Sequence, residues 1–173
     1  RCLRRFADPS VPTRLRLDVE YQEGVIDGME GGKADLALCI GFDGDGDDDD
    51  YDCIPLPEIE LLLVAAPDHP LVTGPVTEAS RLDHAELVVR DSSPRFAERL
   101  KASFMGSRNV VYLSDFHSKR IALLDSAGYG WIPSHFIKED LKKGTLSLLE
   151  TEPNRWTYYP QAITTAGYRL GRA

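Results

Sequence analysis

The sequence predicts an α/β fold, because short β-like runs alternate with helix-like segments along the chain and two helix starts follow directly on strands. Arg14–Val19, with apolar residues at alternate positions, reads as the first strand. Val25, Ile26 and Met29 then share one helical face before Gly31-Gly32, and Ala34–Ile40 reads as a buried strand. Glu60–Ala66 and Leu87–Val89 are the next two apolar runs. Ser93-Pro94 has the chemistry of an N-cap followed by the first helical position, with Phe96, Leu100 and Phe104 at i, i+4 and i+8 behind it. Asn109–Leu113 is a strand, and Ser114-Asp115 opens a helix in which Ile121, Leu124 and Ala127 share a face and which Gly128 is expected to end. Gly130–Ile132 is a further strand. The next helix runs from about Ser134 to Lys143, where Lys142 and Lys143 suit the helix dipole and Gly144 suits the C′ position. Leu146–Glu150 is the last short strand, and Trp156–Thr165 returns as an extended stretch.

Composition narrows the function. The chain has 173 residues, 42% hydrophobic and 28% charged, as in an ordinary globular protein with one good core or two small ones. Its formal charge, 20 − 28 = −8, opposes a nucleic-acid-binding surface, which needs clustered Lys and Arg. Cys2, Cys39 and Cys53 are too few and too scattered for a disulfide framework, and no CxxC or paired His spacing suggests zinc, so free thiols in a reducing cytoplasm are expected. No apolar run approaches the roughly 20 residues of a membrane span. Arg1 in place of an initiator Met marks the chain as an expected piece of a longer protein.

Several motifs invite functional readings that their chemistry does not sustain. Asp43, Asp45 and Asp47 alternate as in a calcium loop, but Asp48 stands where that loop needs Gly and Ile54 where it needs Glu, so Asp43–Asp50 reads as a solvated acidic loop. Asp68-His69-Pro70 has no nucleophile or second base nearby and reads as a loop cap. Gly128-Tyr129-Gly130 follows a helix, whereas a phosphate loop would precede one. His69, His84, His117 and His135 lie in different elements, so no compact acid-base group is expected and the chain is read as a non-enzyme without cofactor or metal.

Gly32-Lys33-Ala34-Asp35-Leu36-Ala37-Leu38, the run Leu61–Leu71 ending in Asp68-His69-Pro70-Leu71, Ala127–Pro133 and Gly144-Thr145-Leu146 together resemble the effector-binding domain of LysR-type bacterial transcriptional regulators over roughly residues 14–150. The resemblance implies a two-lobed, periplasmic-binding-protein-like (type 2) fold, each lobe an α/β sandwich. Residues 1–56 would form the first part of lobe I, 57–155 lobe II, and 156–173 the return crossover to lobe I. Residues 1–13 depart from the family pattern, so its first strand is expected to be missing, and the chain stops before the family's closing helix.

The expected site follows from the resemblance together with helix-terminus physics. Helices opened at Ser93 and Ser114-Asp115 follow strands that the resemblance places side by side, and ligands settle at such carboxyl ends against unpaired helix N–H groups. Arg90, Ser92, Ser93, Asp115, Phe116 and His117 are the expected contacts on this wall, with Arg95 and Lys119 able to add charge. Ser93 and Ser114 can equally do no more than cap their own helices. The resemblance puts Tyr21, Gln22, Ile40 and Gly41 on the opposite wall, where Tyr21 can equally be a surface aromatic and Ile40 simply core. The implied ligand is a small organic acid or amino-acid-like effector. The implied partners are further copies, as a homodimer or tetramer, through the helix near Val25–Glu30 of one subunit and the Lys119–Ser126 helix of another. DNA would be reached only through an N-terminal helix-turn-helix that this chain lacks. A transport-type solute-binding protein and an amino-acid-pathway dehydratase share the clamshell and stand as alternatives. They are separated by what precedes Arg1 and by turnover.

Overall fold

The computed structural model describes residues 10, 14–21, 23–39, 50–90, 92–93 and 106–167. The predicted helix behind Ser93-Pro94 and the acidic run up to residue 49 lie outside them, as do Gln22, Ile40, Gly41 and Arg95.

Two sheets organise the described residues. The larger has six strands: β3 (Ile59–Ala65), β4 (Ala85–Val89), β5 (Asn109–Leu113), β6 (Tyr129–Pro133), β7 (Ser147–Leu148) and β8 (Arg155–Tyr158). Their order is β5-β4-β6-β3-β7, with β8 also on β3. β4 pairs in parallel with β5 and β6, whereas β3 runs antiparallel to β6, β7 and β8. β3 reads IELLLVA, and from Leu61 to Ala65 it is a continuous apolar run of the kind that a strand covered on both faces requires. Its alternate residues divide between two cores. Leu62 and Val64 join Leu87, Leu123, Ile132, Ile137 and Leu146, while Leu63 and Ala65 join Leu71, Tyr129 and Leu149.

The smaller sheet is β1 (Ala37–Cys39), β9 (Gln161–Thr165) and β2 (Tyr51–Pro55), with β9 central and antiparallel to both neighbours. The chain thus leaves the larger sheet after Tyr158 and supplies the middle strand of the smaller one. The return stretch expected over Trp156–Thr165 is therefore two strands in different sheets, divided at Tyr159-Pro160. β2 was not legible in the sequence: it follows an acidic run, ends in Pro55 and exposes four of its five residues, so its strand state comes from the full register it makes with β9.

The helices among the described residues are α1 (Glu23–Glu30), α2 (Pro70–Thr73), α3 (Glu78–Leu82), α4 (Phe116–Leu124) and α5 (Ser134–Lys143). α5 ends as predicted, on Gly144 in the left-handed conformation at φ 68°. α4 does not end on Gly128. Asp125 is its C-cap, and Ser126 takes the left-handed turn at φ 57°. His69 rather than Asp68 caps α2, its Nδ1 accepting from the Leu71 amide at 3.2 Å, while Asp68 accepts from Ser126 Oγ at 3.0 Å.

Arg14–Val19 is a correction. Its alternating pattern predicts a strand, but residues 14–20 carry no strand pairing, and Leu15, Leu17 and Val19 are exposed. Alternation promotes a strand only where a neighbour accepts its backbone hydrogen bonds, and among the described residues none does.

α4 and α5 cover one face of the larger sheet and are tied by Arg120 and Asp140. The guanidinium donates from Nε at 2.6 Å and from the amino group at 2.7 Å to the two carboxylate oxygens, and Thr145 adds a 3.4 Å bond. This bidentate pair holds the Asp140 carboxyl below its usual range, first through the Arg120 hydrogen bonds. Asp140→Ala should cost about 2 kcal/mol, less than for a fully buried pair because Arg120 can turn to water. Urea unfolding checks this; a loss below about 0.5 kcal/mol would make the pair decorative. Because the folded carboxyl is the stronger acid, this contribution is present above the unfolded pKa and fades as pH falls through the folded one.

Candidate functional site

The carboxyl ends of β4 and β5 lie side by side, with Val89 opposite Leu113 and the Arg90 amide donating to the Leu113 carbonyl at 3.0 Å. Arg90 and Ser92 follow β4, and Ser114 and Asp115 follow β5, so the topology brings together the two strand ends expected from the sequence. Arg90, Ser92 and His117 are exposed, Asp115 and Phe116 are half-buried, and Ser93 is buried.

Asp115 is the N-cap of α4. Its Oδ1 accepts the Ser118 amide at 2.7 Å, and Oδ2 accepts the hydroxyls of Ser114 at 2.7 Å and Ser118 at 3.0 Å. The Ser118 amide, then the two hydroxyls and the His117 amide, lower its pKa to about 2. The protein thus supplies its own anion at this helix start, and a second carboxylate placed there would meet a fixed negative charge. The same bonds make α4 acid-sensitive. Asp115→Ala should lower the melting temperature at pH 7, and that difference should shrink as pH falls from about 4 toward 2, where the wild-type carboxyl also loses its charge. Paired melting curves over that range test it; a difference independent of pH would contradict the cap.

Tyr21, two residues before α1, meets Ser92 across 71 residues of sequence. The Tyr21 amide donates to Ser92 Oγ at 2.8 Å, and the Tyr21 carbonyl accepts from the Ser92 amide at 3.3 Å and from its hydroxyl at 3.2 Å. The Tyr21 ring stands edge-on to Phe116 with centroids 5.6 Å apart, and Phe116 continues to Phe136 at 5.8 Å. Next to Ser92, the Ser93 hydroxyl donates to Asp27 Oδ2 on α1. Gly24 permits the approach: a Cβ there would collide with Ser92 Oγ and stand 3.1 Å from Ser92 Cβ.

Of the residues expected at the site, Tyr21, Ser92, Ser93 and Phe116 are brought into one cluster. Arg90, Asp115 and His117 adjoin it along the chain. Gln22, Ile40 and Gly41 lie outside the described residues. Asp27, Gly24 and Phe136 were missed. Asp27 and Gly24 sit one helical turn apart, but nothing in a single sequence says which helix face meets a distant loop.

Lys119 is a correction. Expected to offer charge at the strand ends, it is instead 4% exposed and turned onto the sheet. A Cβ on Gly130 would stand 3.0 Å from its Cε and 3.1 Å from its Nζ, so its stem occupies the room this glycine leaves. Burial lowers its pKa from 10.5 to about 7, against a smaller opposing pull from Glu86.

No group of His, Cys, Asp and Glu among the described residues could hold a metal ion. No helix among them is long and apolar enough to cross a membrane.

The family model described as the LysR substrate binding domain matches residues 1–172. The chain belongs to this family. Solved structures with the same fold include the regulatory domain of HypT from Salmonella typhimurium in its apo form, at 18% identity and TM-score 0.65, covering 95% of this chain and 78% of that one. The C-terminal domains of a LysR family protein from Agrobacterium tumefaciens align at 18% identity and TM-score 0.65, over 84% and 70% of the two chains. Vibrio fischeri DarR in complex with DNA aligns at 20% identity and TM-score 0.59, over 84% of this chain and 49% of that one. This LysR-family domain therefore spans about half of that DNA-bound regulator. No curated protein matches the chain. The fold is the α/β, type 2 periplasmic-binding-protein-like fold of LysR effector-binding domains.

Proposed function

We propose that this domain senses a small, carboxylate-bearing effector between two lobes and thereby alters how an oligomeric LysR-type regulator engages DNA, without catalysing a reaction. In this reading residues 1–56 begin lobe I, 57–155 form lobe II and 156–173 return to lobe I, the crossover itself coming after Trp156–Tyr158, which still pair with β3. The single observation that carries it is the meeting of Tyr21 with Ser92, and of Asp27 on α1 with Ser93, at the carboxyl end of β4. That is where ligands of open α/β sheets settle. Gln22, Ile40, Gly41, Arg90, Asp115, Phe116 and His117 complete the proposed lining, with the effector's carboxylate directed to Arg90 and His117 and away from the Asp115 charge.

A ligand switches such a domain only by binding one lobe arrangement better than another. Arg90 and His117, exposed at the rim, suit an organic acid or amino-acid-like molecule. In the full-length cytoplasmic protein, α1 of one subunit would face α4 of another in a dimer or tetramer, and an N-terminal helix-turn-helix would contact DNA. The charge of −8 on this domain favours that division of labour.

A thermal-shift screen of organic acids and amino acids tests the site. A true effector at 100 times its dissociation constant should add about 2.7 kcal/mol of stability. Ser93→Ala should erase most of that gain. A hit whose shift survives Ser93→Ala, or a screen with no carboxylate hit, overturns the assignment.

A further inference from the structure

We propose that the contact between the lobes is a latch in which Asp27 acts as an internal carboxylate, holding on Ser93 the place of an anionic effector, so that latch and effector exclude one another. The ligand half rests on the effector reading above; the latch stands on its own contacts. Ser93 is buried, and its hydroxyl donates its single proton to Asp27 Oδ2. A second carboxylate reaching this hydroxyl would find that proton committed and a like charge beside it. Asp27 must let go before such a ligand can bind as the cleft reading requires.

Asp27 is held there from both sides. Ser92, next in chain, exchanges three hydrogen bonds with the Tyr21 backbone, and Tyr21 leads directly toward α1. Gly24, one turn before Asp27, lets α1 lie against Ser92. The Tyr21 ring closes the contact on Phe116 at the start of α4. Releasing Asp27 therefore loosens the link between α1 and the ends of β4 and β5, the elements whose relative placement an effector would control.

Amide hydrogen exchange tests the latch with no ligand present. Asp27→Ala and Gly24→Ala, which open it by deleting the acceptor and by inserting a wedge, should each speed exchange at the Tyr21 and Ser92 amides about 10-fold or more, while Leu63 and Val64 in β3 keep their protection. Unchanged exchange at Tyr21 and Ser92 in both variants overturns the latch. Sodium acetate then probes exclusion: Asp27→Ala should take it up about 10-fold more tightly than the wild type, whereas Glu23→Ala, which removes the same charge from the same helix, should not. Equal uptake by Asp27→Ala and wild type, uptake by neither, or the same gain in Glu23→Ala overturns the exclusion. The two readings fail separately: the latch through exchange at Tyr21 and Ser92, the effector site through the Ser93→Ala thermal shift.

Discussion

Gly128→Ala is expected to destabilise the domain by about 3 kcal/mol, lowering its melting temperature by about 6–12 °C. Gly128 is buried just before β6, beside the start of β4. An alanine Cβ would collide with the Ala85 carbonyl oxygen and stand 3.1 Å from its carbonyl carbon and 3.2 Å from Ala85 Cβ. These are mostly backbone atoms, so no side-chain rotation relieves the clash. The neighbouring pair Glu86 and Tyr129 is already in parallel register, and β6 also pairs with β3 through five residues. Pushing β6 from β4 therefore strains the centre of the larger sheet. Urea unfolding of the variant decides the matter; a loss under about 1 kcal/mol would mean that the sheet yields easily here.

Lys119→Met should act in the opposite sense, with its gain largest at pH 6, where it removes a buried ammonium, and partly offset because buried Glu86 loses the positive charge beside it. Burial lowers the pKa of Lys119 from 10.5 to about 7 in the folded protein. Below pH 7 the ammonium is charged in both states, and the full cost of burying it stands. Between about pH 7 and 10.5 the unfolded chain binds the proton and the folded chain does not, so wild-type stability rises with pH. Methionine keeps the stem volume over Gly130 and carries no charge. The advantage of the variant should therefore narrow as pH rises from 7 toward 10. Unfolding midpoints at pH 6, 8 and 9.5 provide the check, and a pH-independent difference would show that the ammonium reaches water.

How far the fold was legible depended on how much of each signal was local. β5 was read to the residue and α5 nearly so, because a β-branched and aromatic run bounded by Ser114-Asp115 marks the strand and Gly144 ends the helix. The start of α4 was found for the same reason, since an N-cap acts on amides within three residues of it, although the cap is Asp115 and not Ser114. The α/β class and the LysR-type motifs were likewise readable, since each occupies a short, contiguous run. Gly128 was assigned the wrong cause. Its position after a helix suggested a C-cap, whereas Ser126 takes that conformation and Gly128 answers to Ala85, far away in sequence.

The sequence by itself determined where most helices and strands lie and which family the chain resembles, because propensity, capping and hydrophobic period act within a few residues. Tertiary structure alone decided that Arg14–Val19 makes no strand, that Tyr51–Pro55 does, and that Lys119 turns inward. It also decided that Asp27 meets Ser93. Each of these depends on a partner brought from elsewhere in the chain: a strand that accepts or fails to accept hydrogen bonds, a glycine that leaves room, a carboxylate that reaches a hydroxyl. Local sequence carries no record of such partners, since many arrangements satisfy the same pattern and packing selects among them.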